Sequence, residues 1–156
     1  MSFRIRGLDP APFQHLYSLA DSALLAQGVK RRVVDSNPGF PDRIEVRDLE
    51  VGETALLLNF EHQPAATPYR ARHAIFVREG ATAALDLVDT VPPVLRRRWI
   101  SLRAFDAQGM MLGAELAEGS VIEAGIDRLF ASGAVAYLHA HYAAAGCFAA
   151  RIDRAG

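Results

Sequence analysis

The links between the extended segments of this chain are too short to hold helices. Residues 99–105 and 110–116 are joined by Asp106-Ala107-Gln108-Gly109, and residues 134–142 and 147–153 by one turn around Gly146. Parallel neighbours need a crossover of about a dozen residues or more, whereas antiparallel strands need only a tight turn. Apolar and polar residues alternate through residues 3–6 and 99–105, Ile44 and Val46 alternate with charges in a further strand, residues 30–35 and 73–78 also read as strands, and residues 53–60 are the most apolar. Residues 82–88 read as an edge strand. The pattern predicts an α+β fold with a mainly antiparallel β-sheet of about eight short strands.

Two amphipathic helices are expected to pack on it. Asp9 before Pro10 is a sound helix start. Phe13, Leu16, Tyr17, Ala20 and Leu24 recur on one face up to Gly28, which predicts a helix over residues 10–27. Ser120 and Glu123 have capping-box spacing. They precede Ile122, Ile126, Leu129 and Phe130, so a second helix should end at Gly133.

At 156 residues the chain has the size of one ordinary domain, 1–156, able to bury a core without staples. A net charge of −1 provides no field to draw nucleic acid or an anionic membrane. Arg96-Arg97-Arg98 then reads as a solvated basic face. No stretch approaches the ~20 apolar residues of a membrane helix. Cys147 is the only cysteine, so no intrachain disulfide can form and a reducing, cytoplasmic setting is expected.

Two segments concentrate chemistry. Residues 61–73, EHQPAATPYRARH, form a long link between two buried strands and hold Glu61, His62, Tyr69, Arg70, Arg72 and His73. Long loops on rigid strands often carry function. Arg70 suits bidentate capture of an anion, Tyr69 suits ligand positioning, and His62 or His73 suits proton transfer. In the second segment His139 and His141 share one face of a strand, since side chains alternate. His-x-His at that spacing can hold a metal, zinc before others; a third ligand would come from His62, His73, Glu61 or Cys147. With a five-residue turn, Cys147 falls opposite His141 and Ala149 opposite His139. That pairing would make an activated thiol or a mixed metal site. It depends on register, because a slip of one residue turns Cys147 to the other face.

These residues predict a small-molecule site where the 61–73 loop meets the 139–147 hairpin. Its ligand is anionic, bound by Glu61, His62, Tyr69 and Arg70, and His73, His139, His141 and Cys147 are the candidates for catalysis. The same residues also suit a non-catalytic ligand-binding or protein-interaction domain. No glycine-rich phosphate loop and no G-x-S-x-G elbow names a reaction.

The segments FRIRGLDPAPF, NFEHQPAATPYRARHAIFVREGA, VPPVLRRR and HAHYAAAGCFAARIDR together resemble an uncharacterised bacterial family, domain of unknown function 1203, essentially end to end. The resemblance implies no activity. It implies Cys where Asp42 stands and Asn where Tyr142 stands, so cooperation between two cysteines is not expected here. It also implies that a bulky ring replaces an amide beside His141.

Overall fold

Eleven strands form two sheets, in place of one sheet of about eight. The computed structural model describes residues 1–156. The strands are β1 (Phe3–Arg6), β2 (Lys30–Val33), β3 (Pro41–Asp42), β4 (Arg47–Asp48), β5 (Thr54–Gln63) and β6 (Ala71–Arg78). They continue with β7 (Asp86–Val88), β8 (Trp99–Phe105), β9 (Met111–Glu118), β10 (Tyr137–Tyr142) and β11 (Phe148–Arg154). The larger sheet has the order β7-β1-β11-β10-β8-β9 and the smaller β2-β5-β6-β3-β4. Every pairing is antiparallel except the one contact of β3 with β6, at Asp42 and Phe76, as the short links dictate. β7 is an edge strand, as expected.

Helices are few and short: α1 (Asp21–Leu25), α2 (Pro93–Arg96) and α3 (Ile122–Phe130). Helix α3 is the second of the two expected. It lays Ile122, Ile126 and Phe130 on Ile100, Leu102, Leu138 and Ala140 of the larger sheet. Its capping box is absent. Val121 stands at the N-cap without a side-chain bond, because the Glu123 carboxylate is taken by the Arg96 guanidinium. The single helix expected over residues 10–27 is also corrected. Asp9 does accept the Ala11 N–H at 3.0 Å, but the turn it starts is a 3-10 helix that ends at Leu16. Ser18 then takes φ +64°, a left-handed backbone that no helix continues through. Phe13, Leu16 and Leu24 still reach one apolar cluster, beneath Leu56, Ile75 and Val77 of the smaller sheet.

The segment from Pro41 to Asp48 fastens the two sheets. Ile44 and Val46 are not strand residues, as their alternation suggested; they are fully buried in the turn between β3 and β4. Leu8 donates its N–H to the Arg43 carbonyl at 2.8 Å and Leu85 to the Ile44 carbonyl at 2.9 Å. Asp42, buried, accepts the backbone N–H groups of Ile44 and Arg78. Arg96-Arg97-Arg98 is no solvated run: Arg97 and Arg98 both pair with the buried carboxylate of Asp48. No helix is long and apolar enough to cross a membrane.

Candidate functional site

The link expected over 61–73 is strand at both ends. β5 runs to Gln63 and β6 begins at Ala71, leaving a turn of residues 64–70. Phe60 pairs with His73 and Gln63 with Ala71, so β5 carries one more residue than β6 between those pairs. This bulge re-aims the side chains at its centre. Glu61 turns outward to Arg70 and Arg72, at 3.1 and 3.6 Å. His62 turns inward, and its ring stacks on Phe148 with centroids 5.7 Å apart and an interplanar angle of 10°.

On β10 the alternation holds. Tyr137, His139 and His141 face the smaller sheet, while Leu138 and Ala140 pack beneath α3. The partner strand differs from expectation. Ala140 pairs with Ala150, but His141 pairs with Phe148, and Ala149 is the extra residue of a bulge. His139 therefore lies opposite Arg151 rather than Ala149, and Phe148 takes the position expected of Cys147. The thiol falls within the turn and points the other way, where its sulfur accepts from Arg43 Nη2 at 3.0 Å. The expected Cys147–His141 pair does not exist, for the register reason that made it conditional.

Three imidazoles meet instead. Ring centroids are 4.8 Å apart for His62 and His141, 6.2 Å for His62 and His139, and 6.1 Å for His139 and His141. Phe148 borders all three. Burial disfavours their charged forms and lowers the pKa of His62 to about 4 and those of His139 and His141 to about 3. The rings are neutral at pH 7. His141 Nδ1 lies 2.9 Å from the Gly146 carbonyl, which can only accept, so the proton is on Nδ1 and Nε2 keeps a lone pair. That Nε2, His62 Nδ1 and His139 Nδ1 are all buried without a partner. Buried polar atoms in folded proteins are nearly always satisfied, so three such nitrogens in one cluster are a mark of incompleteness. No group of three or more His, Cys, Asp or Glu side chains is arranged to hold a metal ion.

Cations surround these neutral rings. Across the larger sheet His139 pairs with Arg103 on β8 and Arg151 on β11, and Arg151 pairs with Arg6 on β1. Directly paired residues point to one face, so Arg6, Arg151, His139 and Arg103 form a row. Arg6 and Arg151 share one carboxylate, Asp153, at 2.7 and 2.9 Å. Arg103 contacts only the Ser101 hydroxyl, at 3.3 Å. Nearby guanidinium charge further lowers the histidine pKa values. A cavity of about 560 Å³ opens against this row, lined by Arg6, Arg151, His62, His139, Phe60 and Phe148 among others. That volume is within the usual range for small-molecule sites.

The sequence-predicted residues divide accordingly. His62, His139 and His141 come together. His73 and Cys147 line a second cavity, of about 490 Å³, on the opposite face of the β10–β11 hairpin. Tyr69 and Arg70 line neither cavity; Arg70 is exposed and held by Glu61. Arg6, Arg103, Arg151 and Phe148 were not singled out from the sequence. Each alternates correctly in its own strand, but only the strand order sets them beside His139. Gln63 was also missed; buried at the end of β5, it donates to the Tyr137 hydroxyl at 2.9 Å.

A family model described as a protein of unknown function, DUF1203, matches residues 39–154. No curated protein and no solved structure matches the chain significantly.

Proposed function

For a chain that belongs to the DUF1203 family, we propose that the function is to bind a small anionic molecule in the cavity between the two sheets. The observation that carries this reading is the set of partnerless buried nitrogens of His62, His139 and His141 behind a cavity that Arg6 and Arg151 line together with one carboxylate, Asp9. Arg6 and Arg151 draw the anion, since one Asp153 carboxylate serves both. The neutral imidazoles, each with one donor and one acceptor nitrogen, read its polar groups. Phe60 and Phe148 supply an apolar wall.

Binding is favoured over catalysis by the pKa values. A general base works best with a pKa near the operating pH, and rings at about 3 to 4 are far below it. They serve recognition better than proton transfer.

The test uses sulfate and inorganic phosphate as probes, followed through the imidazole nitrogen resonances. Signals of His62 and His139 should shift with saturation, and Arg151→Ala should weaken binding by about tenfold, the ~1.4 kcal/mol of one charged hydrogen bond. Saturable shifts with neither anion, or shifts unaltered in Arg151→Ala, would overturn the proposal.

A further inference from the structure

The second cavity contains a buried cation with no salt bridge. Arg43 is 2% exposed. Its Nε donates to the Phe148 carbonyl at 2.8 Å, its Nη1 to the Pro41 carbonyl, and its Nη2 to Cys147 Sγ at 3.0 Å. No carboxylate lies within ion-pairing distance of it, although most other arginines of the chain have one. A buried guanidinium is ordinarily paired, because desolvating an isolated charge costs several kcal/mol. The neighbouring Arg98 is paired with Asp48 at 2.6 Å. The nearest buried carboxylate, Asp42, is turned to the backbone N–H groups of Ile44, Glu45 and Arg78 and acts on Arg43 only at longer range.

A second group there also lacks a partner. The Tyr142 side chain, 5% exposed, lines the cavity with Arg43, and its hydroxyl has no hydrogen-bond partner. Its ring lies between the two guanidiniums, 5.0 Å from Arg43 and 5.2 Å from Arg98. Arg98, His73 and Cys147 also border the cavity, and the remaining wall is apolar: Leu57, Ile75, Phe76, Trp99 and the alanines of the 143–145 turn. One buried cation without an ion pair and one free hydroxyl beside a largely apolar wall suit a single negative charge on an apolar body.

We propose that this cavity is a second binding site, for a small monocarboxylate with an apolar body, its carboxylate on Arg43 and Tyr142 and its body against Phe76 and Trp99. This site is independent of the histidine cavity and stands on the other face of the same hairpin. The Arg43 guanidinium has five N–H groups and the three bonds above leave it free donors. The Tyr142 hydroxyl offers one donor more. Trp99, 53% exposed, caps the apolar side.

The cavity holds two built-in reporters, since Trp99 is the only tryptophan and Cys147 the only cysteine. Octanoate is the probe and octanamide its uncharged control. Octanoate should change Trp99 fluorescence saturably and slow the alkylation of Cys147 by iodoacetamide at matching concentrations. Octanamide should require at least tenfold more. Arg43→Gln should abolish the difference between them. Because Arg43→Gln also removes three internal hydrogen bonds on which the fold draws, Tyr142→Phe is the second variant. It deletes only a partnerless hydroxyl, and should fold and weaken octanoate severalfold without altering octanamide. Equal effects of octanoate and octanamide, no saturable effect of either, or an unchanged octanoate affinity in Tyr142→Phe would each overturn the proposal.

Discussion

The imidazole of His62 meets that of His141 edge to face, with centroids 4.8 Å apart and planes at 78°, and each belongs to a different sheet. The contact joins the sheets at the floor of the histidine cavity. Two bulges aim it, one on β5 before Gln63 and one on β11 at Ala149. Its properties are open to direct measurement.

Stability should fall with acid before the carboxylates titrate. His139 and His141 have folded pKa values of about 3 against an ordinary 6.5. The unfolded chain therefore binds protons that the folded chain refuses, and stability rises with pH across this window. The contribution is complete above pH 6.5 and is lost as pH falls towards 3. By pH 5 the loss is on the order of 2 kcal/mol per buried ring, at about 1.4 kcal/mol per pH unit. His62, more accessible, contributes less. Urea midpoints between pH 7.5 and 5 measure it, and His139→Gln should flatten the dependence. A midpoint constant over that range contradicts the burial of neutral rings.

Anion binding should take up protons. An anion beside His62 and His139 favours their charged forms and raises their pKa values. Sulfate does not itself titrate here, so its affinity should strengthen as pH falls from 7 to 5. By linkage, calorimetry in two buffers of different ionisation enthalpy should register proton uptake. A sulfate affinity independent of pH would place the anion elsewhere.

Asp153→Asn should tighten sulfate binding. The substitution removes the carboxylate that Arg6 and Arg151 share while keeping the side-chain volume. Releasing these guanidiniums to the cavity should improve affinity by roughly fivefold, a change of ~1 kcal/mol. Weaker binding in this variant would mean that Asp153 positions the arginines rather than competes for them.

Gly7→Ala should destabilise the junction of the sheets. A Cβ on Gly7 collides with the Ile44 carbonyl, a backbone atom that cannot rotate away. Overpacking of this kind costs about 1–3 kcal/mol. Chemical denaturation at pH 7 provides the value, and a neutral result would show that the 41–48 segment yields. Gly28→Ala is the control: at φ +73° it strains only the local turn, with nothing within 4 Å of a new Cβ.

Asp48→Ala should also destabilise, by about 1–3 kcal/mol, since Arg97 and Arg98 keep access to water when it is removed. Its buried carboxylate holds Arg97 and Arg98 together, and its loss removes charge-assisted hydrogen bonds to both. Thermal unfolding tests this, with Arg97→Ala, at a more exposed position, expected to cost under 1 kcal/mol.

What was legible in the sequence was local. Short links required antiparallel pairing, as in β8–β9 and β10–β11. Period-two alternation placed His139 and His141 on one face, with Leu138 and Ala140 on the other. Helical spacing found α3, and two segments rich in histidine stood out, which touch through His62, His139 and His141. Helix 10–27 failed because one residue, Ser18, breaks a periodicity that continues past it.

The sequence by itself determined strand pairing type and face alternation, because both depend on residues a few positions apart. Only the tertiary structure decided the site. Two bulges, each a single extra residue, carried His62 into the cleft and Cys147 out of it. The division into two sheets then set β5 against β10. Strand order aligned Arg6, Arg151 and Arg103 with His139, and left Arg43 buried beside Cys147 without a salt bridge. A register shift of one residue exchanges the faces of a strand, and burial and neighbouring charge follow from the faces. The chemistry of these side chains is therefore set by contacts between distant segments.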